Sequence, residues 1–459
     1  MGFPRTGIRA AALAACALAV LPLAADEPAV DASVSAWVTP SVYLQPASDE
    51  VLAAAGVRAG AALDGWIGDA AGFRLAVEAY GNLAGIADGG SWVLDTPSPL
   101  AVSASANGRL QAALDLKEAW IDLSAGDLDL RFGKQILAWG LADGSNPTDN
   151  LNARYVGIRF VSAPDEMKMG ALMANLVWNL PGNRGTIQGV FLPVSVPNDM
   201  PSIAQTIPAG PMTIVIEEDG GPGIAWENVE GGLRALIYAG PVSFSASWLT
   251  FLDRYPDFTI STVGMTTTLS PFHSRVQQFG LDAAWAVSGF DLRGEWAFTL
   301  TADPDGTDPG VRNPWISGVL QASRTFLNGT LTAAASWAPQ FVLNHTEATP
   351  GGADTESMMA EYNGQAYAVE QYAGFRLAGK LLGETLQPEG MFLAGLSARD
   401  WMGSASVSYN LADGVNAKIG LKLYGSFRAA DDPEREWGVF SNSRTIDSDS
   451  VYAELKISL

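Results

Sequence analysis

Gly414-Val-Asn-Ala-Lys-Ile-Gly-Leu-Lys-Leu-Tyr-Gly-Ser-Phe-Arg428 is the stretch that decides the fold. Taken in alternation, Val415, Ala417, Ile419, Leu421, Leu423, Gly425 and Phe427 share one face of an extended strand. Asn416, Lys418, Gly420, Lys422, Tyr424, Ser426 and Arg428 share the other. Successive strand side chains point to opposite sides, so the segment has one greasy face and one wet face. The same alternation sets Phe290, Leu292, Trp296, Phe298 and Leu300 against Asp291, Arg293, Glu295, Thr299 and Thr301. It also sets Phe73, Leu75, Val77 and Ala79 against Arg74, Glu78, Tyr80 and Asn82. An apolar outside with charge inside inverts the arrangement of a water-soluble barrel and matches a barrel dissolved in lipid.

Residues 1–25 have the composition of a secretory signal, with Arg5 and Arg9 ahead of an uncharged apolar run from Ala10 to Ala25, and we expect removal on export. Leu13-Ala-Ala-Cys16 resembles a lipoprotein cleavage box, but the apolar run continues well past it, so Cys16 reads as signal core. Cys16 is the only cysteine, which leaves the rest of the chain without disulfides or thiol chemistry. No other stretch approaches the roughly 18 apolar residues of a membrane helix. Charged residues are 17% of the chain, against about 25% in soluble proteins, while 49 glycines suit a curved, closely packed sheet.

The formal net charge of −22 argues against nucleic acid as a partner, because phosphate neutralisation needs a basic surface. The acid is unevenly placed. Inward faces carry Asp64, Glu78, Asp115, Asp129, Asp282, Asp291, Glu295 and Glu454 against Arg58, Arg74, Arg131, Arg234, Arg293, Lys418, Lys422 and Lys456, so the lumen is near neutral. The excess lies in loops such as Glu217-Glu218-Asp219, Asp303–Asp308 and Asp431–Glu436.

From residue 26 to 459 no composition break or linker appears, and we read one domain. Tight connections fall at 68–72, 125–127, 181–185, 239–241, 288–289, 328–329 and 412–414, and several of them have hairpin turn chemistry. They alternate with long segments near 83–108, 140–167, 194–230, 253–274, 302–313, 344–368 and 429–447. Short turns at one end and long loops at the other organise outer-membrane barrels. The expected class is therefore all-β, a transmembrane antiparallel β-barrel of 16–18 strands. Eighteen applies if 369–400 holds two strands, and 16 if it is a loop or short helix. In 109–124 the apolar phase switches from Leu110, Ala112, Leu114 and Leu116 to Ala119, Ile121 and Leu123, so a bulge is expected near Lys117-Glu118. Lys134 falls on the outward register of Leu128, Leu130 and Phe132, which calls for snorkelling or a second bulge.

The most motif-like segment is Leu116-Lys-Glu-Ala-Trp-Ile-Asp-Leu123, then Leu130-Arg-Phe-Gly-Lys-Gln-Ile136, Trp139-Gly140 and Asn146-Pro-Thr-Asp-Asn-Leu-Asn152. It resembles a hairpin of porin-like outer-membrane barrel proteins of unknown function, whose pattern is Leu-Arg-Glu-Ala-Tyr, Arg-x-Gly-Arg-Gln, Trp-Gly and an Asp…Asn-Pro loop. Here Lys117 and Lys134 replace the arginines, and Asn152-Ala153 stands where Asn-Pro is expected. Arg131 and Gln135 share the inward register around Gly133, so a loop folding inward would place Asp143 or Asp149 as acceptor for Arg131. That contact would be a solute filter or a structural latch for the loop after Trp139-Gly140.

Asp303, Asp305 and Asp308 around Gly306 have oxygen spacing compatible with calcium but lack a full binding loop, and a solvated turn explains them as well. The two histidines, His273 and His345, sit in loops without a nucleophile or metal pattern around them, so an enzyme is not expected. The 14 Trp suit interface belts. The sequence thus points to an outer-membrane channel of a diderm bacterium, passing small polar solutes with no cofactor. Its lumen would be lined by Arg131, Gln135, Asp129, Arg293, Asp291, Glu295, Arg74, Glu78, Lys418 and Lys422. Expected partners are outer-membrane lipid and the barrel-assembly machinery, with oligomeric state open. The alternative is a surface adhesin that uses its long acidic loops and keeps the barrel as an anchor.

Overall fold

Each alternating segment becomes a strand, and short turns force consecutive strands into antiparallel neighbours. The structure, a computed structural model, describes residues 30–45, 52–68, 70–82, 92–95, 100–106, 109–143, 146–155, 167–199, 205–209, 212–349, 354–441 and 449–459. The expected signal and its cleavage box lie outside these residues. In chain order the strands begin with β1 (Val30–Leu44), β2 (Leu52–Ile67), β3 (Ala71–Asn82), β4 (Trp92–Asp95), β5 (Ala101–Ala106), β6 (Arg109–Ala125), β7 (Leu128–Gln135) and β8 (Ala171–Asn179). They continue as β9 (Gly185–Leu192), β10 (Gln205–Ala209), β11 (Met212–Ile216), β12 (Glu230–Ala239), β13 (Val242–Leu252), β14 (Asp257–Val263), β15 (Thr266–Phe272) and β16 (Arg275–Val287). The last are β17 (Phe290–Leu300), β18 (Trp315–Phe326), β19 (Leu331–Val342), β20 (Val369–Gly379), β21 (Leu386–Gly395), β22 (Asp400–Ala412), β23 (Val415–Ser426) and β24 (Ser450–Ser458).

Eighteen of them close an antiparallel barrel, with β24 sealed to β1 through pairs such as Trp37 with Ser458 and Tyr43 with Tyr452. The uncertain stretch 369–400 is the hairpin of β20 and β21, which settles the count at 18 rather than 16. Turns carry the chemistry read from the sequence. Ser288-Gly289 sits at φ 51° and 79°, and Asn328-Gly329 at 54° and 92°, the left-handed backbone that tight hairpins need. Leu233, Phe132, Leu281 and Ile419 project from the outer face, whereas Glu295, Thr299 and Gln278 are buried within. Leu421 and Phe298 lie on the outer register and Lys422 and Arg293 on the inner one, as the alternation requires.

The expected bulge is present: Ala76 pairs with Glu118 and Val77 with Leu116, leaving Lys117 as the extra residue. Lys134 does not snorkel. Gly133 adopts φ 135°, where a Cβ would come within 2.2 Å of the Ala119 carbonyl, and the alternation breaks there. Gly133, Lys134 and Gln135 are all buried in succession, and Lys134 Nζ reaches Asp115 Oδ1 at 2.7 Å.

The segments 194–230 and 253–274, read as loops, hold an additional four-stranded sheet in the order β10-β11-β15-β14, with β11 and β15 parallel. Helix α1 (Thr355–Tyr362), in another segment read as loop, packs Met359 onto Ile214, Phe258 and Leu269 of that sheet. Its Asp354 caps the helix by accepting from the Ser357 amide. The sheet sits at the long-loop end and is tied to it by the Phe258 amide, which donates to the Gly310 carbonyl.

Candidate functional site

The lumen is shaped by the segment that follows β7. After Gln135 the chain leaves the wall with Ile136, Leu137 and Trp139, side chains that favour a dry surface over water. Trp139 finds one inside the barrel, packed among Ala171, Met173, Val190, Leu192, Leu249, Phe251 and Val276 on the inner faces of β8, β9, β13 and β16. Its indole N–H, which cannot be left unpaired there, donates to Gln188 Oε1 at 2.9 Å. Gly140, at φ 95°, then turns the chain towards β17 so tightly that a Cβ would meet Glu295 Oε2 at 2.4 Å.

Glu295 is fully buried and holds the loop with four hydrogen bonds. Its carboxylate accepts from the amides of Leu141 at 3.1 Å, Ala142 at 3.3 Å and Thr148 at 2.8 Å, and from Thr148 Oγ1 at 2.8 Å. Arg293, two residues away on the same face, donates to the Leu141 carbonyl at 3.0 Å and to Asp143 Oδ1 at 2.6 Å. Gln321 accepts from the Asp143 amide, and Gln278 donates to the Pro147 carbonyl. The returning limb is fixed from the other side. Arg254 donates to the carbonyls of Asn150 and Leu151 while paired with the buried Glu230. Asn152 stitches the loop's two ends, donating to the Gln135 carbonyl and accepting from the Leu137 amide. A buried carboxylate is tolerable only when its oxygens are satisfied, and the loop's own amides do that for Glu295.

The loop therefore folds inward, but not onto Arg131. Arg131 pairs with Asp122 on β6 at 2.7 Å and stacks over Trp120 at 3.9 Å. Asp143, one expected acceptor, bonds Arg293, and Asp149, the other, bonds Lys168 at 2.6 Å. Both cross-strand partners lie nearer to Arg131 than any loop carboxylate, which is why the expected contact does not form. Gln135 does not converge with Arg131 either; its amide donates to the Met173 carbonyl in the buried wall. Asp129 lies towards the turn end, accepting from Ser124 and Asn179.

Of the other expected lining residues, Arg74 pairs with Asp64 and Glu118, and Glu78 with Arg58 and Lys117. Asp291 pairs with Arg293 at 2.7 Å. Lys418 and Lys422 differ: among the described residues neither makes an ion pair, and their ammonium groups lie 5.8 and 5.9 Å from the Tyr452 ring. Tyr452 lies against Gly420, where a Cβ would be 2.5 Å from its ring, and stacks on Tyr43, whose hydroxyl donates to Glu454 at 2.5 Å. Charged groups on the inner side still reach solvent. The side chain of Asp143 is 64% exposed, and those of Arg376 and its partner Glu389 are 48% and 41% exposed.

Sequence reasoning missed Arg254, Glu230, Gln188, Gln278, Gln321, Arg376 and Tyr43. Their polar identity was visible; that Gln188, Gln278, Gln321 and Arg254 meet one loop was not. The Asp303 to Asp308 cluster is a closed turn in which Asp303 accepts from the Asp308 amide at 2.6 Å and Asp308 from the Gly310 amide at 2.9 Å.

These features define a closed 18-strand antiparallel barrel of the kind found in outer-membrane porins. No family model matches the chain, and no curated protein matches it in sequence. Among solved structures it is similar to the outer membrane protein OpdK of Pseudomonas aeruginosa, at 11% identity, with 93% of this chain and 98% of that one covered and a TM-score of 0.50. It is likewise similar to OccK9 (OpdG) of Pseudomonas aeruginosa, at 13% identity, 94% and 98% coverage and a TM-score of 0.50. The likeness is one of fold.

Proposed function

We propose that this chain is an outer-membrane channel for diffusion of small polar solutes, narrowed by the loop 136–155. The observation that carries the reading is the loop's attachment at Glu295 and Arg293, which holds peptide backbone inside the barrel while Asp143 keeps its carboxylate in solvent. A barrel serving only as an anchor has no need of a loop held inside it by a buried carboxylate. Solutes would pass between the loop and the inner faces of β20 to β24, where Arg376, Glu389, Lys418 and Lys422 offer charge of both signs. Export by residues 1–25, insertion by the barrel-assembly machinery and contact with outer-membrane lipid belong to the same reading.

Purified protein in planar bilayers tests it. We expect discrete conductance steps that grow when residues 140–150 are replaced by a short glycine linker. A folded barrel that shows no conductance with or without the loop would refute the channel and favour the adhesin. That second reading has one observation of its own, the additional sheet with Val263 and Met265 exposed at the tip of the β14–β15 hairpin.

A further inference from the structure

We propose that His273 is a proton-operated clasp, holding the acidic, glycine-rich segment 218–226 against the long-loop end at mildly acid pH and releasing it as the pH rises. His273 follows β15, and its side chain is 1% exposed between two acceptors. Nδ1 lies 2.7 Å from the Asp253 carbonyl oxygen, and Nε2 lies 3.0 Å from Asp219 Oδ2. A neutral imidazole has one N–H and one lone pair, whereas the imidazolium has two N–H groups. Two acceptors are satisfied together only by the imidazolium, so removing its proton aims a lone pair at an oxygen.

The surroundings add to the demand for a cation. The ionisable groups facing the ring are Asp219 from the segment and Asp253 from the end of β13. Behind Asp253 stand Arg312, which donates to it at 3.1 Å, and Asp257, which accepts from the Ser274 hydroxyl and the Arg312 amide. Arg312 thus serves Asp253 and Asp257, and among the described residues His273 is the cationic partner of Asp219. Nor is there a second tether: among the described residues, the hydrogen bonds that residues 218–226 make to other segments reduce to this one. Gly221 and Asn228 bond only within their own turn, to Asp219 Oδ1 and the Gly223 carbonyl. The segment is fixed at its two ends, where the Glu217 amide donates to the Leu269 carbonyl and Arg275 donates to the Glu227 carbonyl.

The signs agree with the geometry. Burial alone would lower the His273 pKa, but the hydrogen bond and charge of Asp219, helped by Asp253, hold it above its ordinary value. Burial alone would raise the Asp219 pKa, but the bonds from His273 and the Gly221 amide hold it below. The His273 contribution is complete below its ordinary pKa of about 6.5 and is lost as pH rises through the raised value. The Asp219 contribution is complete above its ordinary pKa of about 3.9 and is lost as pH falls through the lowered value. The clasp is thus closed between the two.

Hydrogen exchange of the refolded full-length protein tests this directly, whether or not the barrel conducts. Between about pH 5 and about pH 8, after correction for intrinsic exchange, protection of 218–226 should fall about fivefold. His273→Phe should leave the segment unprotected throughout. Asp219→Asn should keep it protected throughout, because a carboxamide can accept from the imidazolium or donate to the neutral ring. Protection of β12 and β16 reports that each variant is folded. Protection of 218–226 that is flat with pH in the parent protein, or the same pH response in both variants, would overturn the clasp.

Discussion

The inner surface of the barrel has two unlike regions. From β7 to β17 it is covered by the loop 136–155, and its inward side chains include Met173, Val190, Leu192, Leu249, Phe251 and Val276. From β22 through β24 to β2 the inward side chains include Ser404, Ser406, Ser408, Lys418, Lys422, Glu454, Tyr452, Tyr43 and Arg58, and among the described residues no loop hydrogen bond to them is seen. The outer faces of the two regions are alike in being apolar. The inner faces differ because one meets protein and the other meets water. Where β8, β9 and β13 back the Trp139 cluster they are apolar on both sides and the alternation fades, whereas β17, which meets the loop through Arg293 and Glu295, keeps it, as do the strands of the open region.

Mutations should act differently on the two regions. The largest effect is expected at Trp139. Trp139→Ala empties the buried cluster and should cost about 3–5 kcal/mol, read as a lower unfolding temperature on gels, together with larger and noisier conductance as the loop detaches. A thermally unchanged variant would show that the covered region does not depend on this cluster. Glu295→Ala leaves the Leu141, Ala142 and Thr148 amides without their acceptor and should cost about 1–3 kcal/mol. Glu295→Gln, which retains an acceptor oxygen, should lose less. If both variants conduct like the parent protein, Glu295 does not set the width.

On the open region the expectation is reversed, with selectivity changing and stability not. The double change Lys418→Gln and Lys422→Gln removes two cations that no carboxylate of the described residues neutralises by contact, so the reversal potential in a salt gradient should move towards cation preference while the unfolding temperature stays put. An unchanged reversal potential would place the solute path away from Tyr452. The smallest effect is expected at Arg131. Its pair with Asp122 is partly exposed and worth about 0–1 kcal/mol, so Arg131→Ala should leave conductance unaltered. A clear rise in conductance would restore Arg131 to the constriction.

The barrel was legible because its rule is local. A period of two, written at 73–80, 290–300 and 415–427, reports one apolar outer face and one polar inner face, and turns such as Ser288-Gly289 set the order of pairing. The switch of phase at Lys117 was legible for the same reason. The additional sheet was not, since β11 pairs in parallel with β15 about fifty residues on and each strand alone is too short to rise above loop composition. The site was half legible. Trp139-Gly140 and the polar loop after it stand out, but the amide of Leu141 finds Glu295 across a separation of 154 residues, and no pattern within either segment names the other. Arg131 was favoured because it is near in sequence; the contact that forms is near only in space.

The seam between β1 and β24 has a consequence in time. The Tyr43 to Glu454 bond joins groups 411 positions apart, and nearly every other wall contact can form before it does. Until it forms, the two outermost strands each present a row of unpaired amides and carbonyls, a template for any other extended chain. Contacts so distant along the polypeptide are slow to find one another, because closure entropy opposes them before any hydrogen bond rewards them. The last step of maturation is therefore the most hazardous one. A substitution that weakens the Tyr43–Tyr452 stack should show itself first as a lower yield of correctly sealed molecules, well before it is felt in the melting of those that succeed.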